Sequence, residues 1–502
     1  MPLSVRAAIC GGVLACLPGA CAADTLFDAI SLAYQTNPDL RAQQEQLRSV
    51  DESYVQARAG YGPQVGVTSQ VAYQDARVQE PPSFFTPKTT TTYYAGTASA
   101  DLSFSQPLYT NGAVSAQVRS AAANVLAGRQ SLRQAEGQLL LNVITAYVDV
   151  RRDRQTIDVL KDEIVVLDGE LAETRAKGKL GVVSKTDVAQ AEARLLSTEA
   201  QLDQAQGRLA VSDAEYLNVV GENPGDLAPE PELPGLPATV DEAFVAADSN
   251  NPQLQAAVDS ERAARSQVDQ AKAAYGPTIS LKVDAAIAPT EPFIPKQYDQ
   301  SVTAAVVLNQ PIFTSGLNAS KIRQASDEDA RAALTIEVTR RGVVQLVAQA
   351  WSQLTSAESA GQREERQVSV EEVAAAGNRI EERAGLRTTI DLLNAESELV
   401  ESRLSLIGSR HDDYVAKAAL LASMGMLEAR YLLPGAQAYD PVRSLDRVKG
   451  VNAPPWEGAV GVVDGLAPVR TAPPAVSAPD AGAERPIGLD PSLDPNHETM
   501  SH

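Results

Sequence analysis

Cysteine is almost missing from this sequence: there are 3, Cys10, Cys16 and Cys21, all near its start. Histidine is as scarce, with 3 copies, and His411 has no paired histidine or cysteine close to it in sequence. These shortages exclude a disulfide framework beyond the first residues and leave little material for a metal centre. There is no phosphate-cradling glycine loop, no nucleophile elbow and no paired-histidine motif, so no residue cluster points to an enzyme or a cofactor. Basic residues are outnumbered, 43 against 64 acidic ones, which removes the positive face a nucleic acid would need. After the first 23 residues no run of about 18 apolar residues occurs, so no transmembrane helix is available. Any passage through a membrane must be made by β-strands.

The first 23 residues have the pattern of a secretory signal. Arg6 gives the positive start, Ala7 to Leu17 the short apolar core, and Ala20-Cys21-Ala22 or Cys21-Ala22-Ala23 a small-residue cleavage site. A lipoprotein signal ending at Cys16 or Cys21 is the alternative, although the residues before each cysteine fit it poorly.

Proline is absent from two long stretches, Ala113 to Lys177 and Leu317 to Arg383. In the first, Val114, Val118, Ala121, Val125, Leu132, Leu139 and Val143, then Ile157, Leu160, Ile164, Leu167 and Leu171, return at intervals of three and four. That stripe predicts one helix of about 65 residues, roughly 100 Å long, with a seam for neighbouring helices. Tyr147 and Trp351, one in each stretch, read as packing residues.

The two stretches belong to a tandem duplication. A shift of 214 residues carries Asn37-Pro38 onto Asn251-Pro252 and Tyr61-Gly62-Pro63 onto Tyr275-Gly276-Pro277. A shift of 204 carries Gln106-Pro107 onto Gln310-Pro311, Gly181 onto Gly385, Asp187 onto Asp391 and Ala191-Glu192 onto Ala395-Glu396. Between the paired Gly-Pro and Gln-Pro signals the period changes from 3.6 to 2. Val65, Val67, Val71 and Tyr73 alternate with polar residues, and Ile279, Leu281, Val283 and Ile287 repeat the device. Each copy thus has two strands with one apolar and one polar face. Four strands are too few to close a barrel, so a membrane barrel built from them must be shared between subunits.

The expected organisation follows. Residues 24–221 form the first repeat, with a hairpin over 64–106, a long helix over 113–177 and a returning helix over 186–220. A Pro/Gly-rich linker, 222–238, precedes the second repeat, 239–430, with a hairpin over 278–310, a long helix over 317–383 and a returning helix over 388–425. The remaining 431–502, rich in Pro and Ala, read as a disordered tail. The fold class is mainly α with β: duplicated long helices plus a four-stranded sheet.

The duplicated N-P helix, the Y-G-P turn, Q-P-L-Y-T-N-G and Q-P-I-F-T-S-G before the long helices, and T-D-V-A-Q-A-E-A and T-I-D-L-L-N-A-E after the far turns resemble the TolC-like outer membrane efflux proteins. The resemblance covers residues 24 to 430. It implies a homotrimer with a shared twelve-stranded barrel in outer-membrane lipid and a helical tunnel through the periplasm. It further implies docking to a periplasmic adaptor (a membrane fusion protein) and an ABC or proton-driven inner-membrane transporter.

The resemblance also implies a periplasmic gate at the far turns, Gly178 to Lys185 and Glu382 to Thr389. Thr186, Asp187 and Arg387 correspond to positions that link neighbouring helices there, with Arg387 the cationic partner. Asp391 matches a carboxylate of the channel selectivity ring, and a ring of Asp in a narrow mouth concentrates cations. Two positions depart from the family pattern: Glu382 stands in place of a gate tyrosine, and Asn394 in place of a second ring carboxylate. These imply a latch rewired around Glu382 and one acidic ring instead of two. Independently, Ser184-x-x-Asp187 and Thr388-x-x-Asp391 read as helix caps.

The expected function is a passive export duct with no cofactor. The type I protein secretion branch, exporting a polypeptide, is favoured. The alternatives are the exit duct of a tripartite pump for small molecules and, from a different class, a periplasmic coiled-coil scaffold or adaptor.

Overall fold

The computed structural model describes residues 24–80, 82, 84–85, 87–289, 298–432, 439–450 and 455–465. The leader, the loop over 290–297 and most of the tail lie outside these residues. Among the described residues, no helix is long and apolar enough to cross a membrane.

The duplication is visible element by element. The first repeat runs α1 (Leu26–Thr36), α2 (Pro38–Arg58), β1 (Gln64–Glu80), β2 (Thr89–Tyr109), α3 (Ala113–Lys179) and α4 (Lys185–Val220). The second runs α5 (Val240–Asn250), α6 (Pro252–Ala273), β3 (Thr278–Pro289), β4 (Tyr298–Asn309), α7 (Leu317–Arg383) and α8 (Thr389–Ser423). Both long helices have 67 residues.

The repeated motifs have repeated mechanical roles. Asn37 and Asn251 break the opening helices before a proline that cannot donate a backbone hydrogen bond. Their side-chain amides donate to the last carbonyls of the returning helices, Val219 at 3.2 Å and Ser423 at 2.8 Å respectively. Gln106 and Gln310 tie strand to helix in the same way, donating to the carbonyls of Tyr61 (2.9 Å) and Tyr275 (3.0 Å). Just before each long helix, Asn111-Gly112 and Ser315-Gly316 adopt positive φ, a turn that glycine makes cheaply.

Two compact units make up the chain. Of the described residues, one contains 24–37, Leu139–Pro234 and Ser356–Val415; the other contains Pro38–Gln138, Gly235–Thr355 and those from Ala416 to Gly465. Among the described residues the second unit holds one antiparallel sheet, in the order β1-β2-β3-β4, so the two hairpins pair through β2 and β3 while β1 and β4 are its edges. The register puts Val67, Leu102, Ala285 and Val302 in one row, and Val65, Phe104, Val283 and Ala304 in the next. The intervening row, Gly66, Ser103, Asp284 and Thr303, is polar. Val71 is 85 % exposed and Val302 77 %, so among the described residues nothing covers the apolar face.

β2 continues to Tyr109, three residues past the expected end, with a register shift between Pro107 and Tyr109 where proline cannot donate to the ladder. A larger difference concerns the tail. Among its described residues are two helices, α10 (Pro441–Lys449) and α11 (Glu457–Gly465), after a single turn α9 (Ala429–Leu432). They dock on the sheet-bearing unit. Ser444 donates to buried Asp51 at 2.6 Å, Arg58 pairs with Glu457 at 2.7 Å, and the Trp456 indole donates to Gln106 at 3.2 Å. Asp464, wholly buried, accepts from the Thr110 amide (2.7 Å), the Thr110 hydroxyl (2.8 Å) and the Gly112 amide (3.1 Å). It satisfies the free donors at the start of α3 from more than 300 residues away, so this part of the tail is ordered by specific bonds.

Candidate functional site

The turns that end the long helices both lie in the first unit and are built alike. After α3, Val182 donates back to Lys177 (3.0 Å) and Gly181 to Gly178 (3.1 Å); after α7, Leu386 donates to Glu381 (2.8 Å) and Gly385 to Glu382 (2.9 Å). Each is a Schellman stop, with glycine at φ +75° or +74° in the left-handed position that terminates the helix. Three residues later each returning helix opens on a reciprocal cap. Asp187 accepts from the Ser184 amide at 2.8 Å, and Asp391 from the Thr388 amide at 3.1 Å and hydroxyl at 2.6 Å. Those bonds to Thr388 hold the Asp391 carboxyl below the usual carboxylate range, so it stays ionised near neutral pH.

Glu382 is the best-held residue of the second turn. Only 9 % of its side chain is exposed, and Lys177 of α3 reaches it at 2.7 Å. That bond raises the Lys177 pKa. The Thr389 hydroxyl donates to the same Glu382 oxygen at 3.4 Å. In one protomer Glu382 therefore ties α3, α7 and α8 together. Arg387 pairs with Glu381 at 3.0 Å, inside its own turn, and is not brought to Thr186 or Asp187. Thr186 is exposed, one residue into α4. Asn394 accepts a long 3.5 Å hydrogen bond from Arg194 of α4.

Sequence reading missed Lys177 and a set of charges beside the turns: half-buried Glu163 and Glu170 of α3, exposed Arg379 of α7 and buried Glu396 of α8. The duplication carried a signal for part of it. Under the 204-residue shift Arg175 and Glu192 fall on Arg379 and Glu396, and both pairs are salt bridges. The first is half exposed; in the second, Glu396 is 3 % exposed. Among the described residues no group of three or more His, Cys, Asp or Glu has the arrangement of a metal site.

A duplicated pair of long helices, each ending in a capped turn, and an open sheet with one bare apolar face define a channel of the outer-membrane factor type. The chain belongs to the outer membrane efflux protein family, whose pattern matches it twice, over 29–222 and again over 244–426, once per repeat. It is 28 % identical to the outer membrane efflux protein BepC of Brucella suis over 85 % of this chain and 91 % of that protein. It is 24 % identical to the alkaline protease secretion protein AprF of Pseudomonas aeruginosa over 65 % and 69 % of the two chains. Among solved structures, the CmeC outer membrane channel of Campylobacter jejuni superposes with a TM-score of 0.69, at 13 % identity, over 89 % of this chain and 98 % of that one. The protein is thus a channel of the Gram-negative outer membrane with a large periplasmic portion, and not an enzyme.

Proposed function

We propose that three copies of this chain close one barrel in the outer membrane and one helical tunnel below it, forming a passive duct for type I protein secretion. The observation that carries the duct is the open sheet. Its four strands leave β1 and β4 unpaired and a whole apolar face uncovered. Lipid tolerates neither an open edge nor a barrel of so few strands, and three such sheets paired edge to edge remove both defects. In this reading a periplasmic adaptor and an inner-membrane transporter supply the energy. AprF, a relative named for protease secretion, supports the polypeptide cargo. BepC, a relative named for efflux, supports a second reading in which the same duct releases small molecules.

Deleting the gene tests the choice. A type I duct loses one or a few proteins from the culture supernatant, read by mass spectrometry, while sensitivity to dyes, detergents and antibiotics stays unchanged. Increased sensitivity with unchanged secretion would overturn the secretion reading in favour of efflux.

The turns form the gate in this reading. Glu382, held by Lys177, serves as the latch inside each protomer, and Thr186, Asp187 and Arg387 face neighbouring helices. Three Asp391 carboxylates ring the mouth, with Asn394 replacing a second acidic ring. Since Asp391 stays ionised, Asp391→Asn should abolish block by divalent cations and weaken cation preference in planar-bilayer recordings, at little cost in stability, because asparagine retains a capping oxygen. Unchanged divalent block in that variant would remove Asp391 from the ring.

A further inference from the structure

Where the sheet runs into the helices, the second unit holds a pocket of about 480 Å³, a volume within the range of about 300–1,000 Å³ common to small-molecule sites. Both repeats build it: Tyr109 at the end of β2 and Arg119 early in α3 from the first, and Asp269 and Lys272 near the end of α6 with Tyr275 before β3 from the second. The walls are fastened to each other. Asn111 accepts from the Tyr109 hydroxyl at 3.1 Å and donates to the Ala273 carbonyl at 3.0 Å. A Cβ at Gly276 would collide with the Asn111 amide, so glycine is what lets the two turns meet this closely. The strands at the mouth, β2 and β3, are the inner strands of the sheet, so the pocket needs no edge that would pair with another copy.

The acids at this pocket are already engaged, while its cations are not. Asp464 of α11 borders it, but its carboxylate is held by the Thr110 amide and hydroxyl, the Gly112 amide and, at 3.3 Å, the Ser115 amide, all at the positive end of α3. Asp269 accepts from Arg119 at 3.1 Å. Arg119 spends one further nitrogen on the Ser115 hydroxyl at 3.3 Å and stays half exposed, which leaves the rest of its guanidinium fork open. Lys272, in the last turn of α6, has no carboxylate partner among the described residues. A free ammonium beside an open guanidinium is an arrangement for an anion, and for phosphate above all.

The register of the sheet decides which anion. Tyr109 pairs with Ile279, and Ile279 with Leu308. By the alternation along β3 and β4 this row lies on the same face as Val283 and Ala304, and it is the last apolar row before the helices. The pocket thus begins where the apolar face ends, with a tyrosine at the boundary, the place such residues take at a bilayer surface. A free phosphate would use the cations alone; a phospholipid would use the cations and the apolar row together. We propose that the pocket binds the phosphodiester headgroup of a glycerophospholipid from the periplasmic leaflet, with Lys272 and Arg119 on the phosphate and the acyl chains beginning beside Ile279 and Leu308. This rests on the barrel reading above. One lipid in each protomer, held at the middle of its sheet, fixes the depth at which the barrel sits in the membrane.

Native mass spectrometry of the full-length trimer, stripped of co-purified lipid in detergent and titrated with dihexanoyl phosphatidylethanolamine, tests this. Three molecules should bind per trimer, and binding should saturate. Lys272→Glu should weaken it at least about tenfold, roughly the worth of one charge-assisted hydrogen bond, whereas Lys272→Arg should keep it. Lys282→Glu makes the same change of charge on the polar face of β3 and should leave binding unaltered. Lys272 has no partner to lose, so its variants should assemble like the wild type; if the Glu variant did not, Lys272→Gln carries the same expected loss. Uptake that never saturates, or that is equal in Lys272→Glu and the wild type, would overturn the site. Equal binding of dihexanoylglycerol, which has no phosphate, or of inorganic phosphate, which has no chains, would overturn it too. An intact wild-type trimer that binds no lipid sinks the site alone, whereas a wild type found only as a monomer sinks the barrel reading and the lipid site with it.

Discussion

Val302→Arg should abolish assembly of the protein in the outer membrane, whereas Thr303→Arg, one residue away, should be tolerated. Val302 ends the row Val67, Leu102, Ala285 and Val302 on the bare apolar face, and Thr303 ends the row Gly66, Ser103, Asp284 and Thr303 on the polar one. On the lipid face of a barrel a buried Arg costs about 2–4 kcal/mol near the midplane and much less at the rims. Three copies in one barrel would raise the penalty to about 6–12 kcal/mol, comparable with the whole stability of a folded domain. The same charge inside a watery lumen costs little. The measurement is the amount of heat-modifiable trimer in outer-membrane fractions. Normal assembly of Val302→Arg with loss of Thr303→Arg would mean that the two faces are assigned the wrong way round. Normal assembly of both would mean that this sheet does not meet lipid.

The faces were legible because their information is local. A period of 2 in Val65, Val67, Val71 and Tyr73 fixes which side is apolar without knowledge of any partner strand. The helix boundaries at the far turns were legible for the same reason. Gly181 and Gly385 are needed for the left-handed stop, and Ser184 with Asp187, or Thr388 with Asp391, caps the next helix within three residues. The tail was not legible. α11 has 9 residues, below the length at which a helix is stable alone, and its Ala- and Gly-rich surroundings read as disorder. What orders it is Asp464 meeting Thr110 and Gly112, a contact made only after the chain has passed through both repeats. The acids beside the far turns escaped for a related reason. Glu170 and Glu396 look like surface charges on amphipathic helices until α3 and α8 are brought together. Family resemblance pointed to Thr186, Asp187, Glu382 and Arg387, whereas Lys177, which holds Glu382 at 2.7 Å, was marked by no motif.

The long-helix aromatic Tyr147 carries the second large effect, because its position holds more than packing. It is fully buried, and its hydroxyl lies 2.7 Å from the carbonyl of Ala228 and 2.9 Å from that of Asp24. Those two residues are themselves joined, since Ala228 donates to Asp24 at 3.0 Å and Asp24 to Asp226 at 2.7 Å. One side chain of α3 thus pins the start of the first repeat to the linker that follows it. Burial pushes the Tyr147 hydroxyl up to about 12, so it remains a donor at every physiological pH. Tyr147→Ala removes an aromatic ring from a closed site and leaves both carbonyls without that donor. The expected loss is about 3–5 kcal/mol, and Tyr147→Phe, which keeps the ring, should lose only about 1–2 kcal/mol. Trp351 occupies the equivalent place in the second repeat but is only half-buried, so Trp351→Ala should cost less than Tyr147→Ala despite the larger side chain. Thermal unfolding of the detergent-solubilised trimer, followed by circular dichroism, ranks the three variants. If Trp351→Ala proved the most damaging, the two repeats would be packed more alike than their burial indicates, and the linker would owe its position to something other than Tyr147.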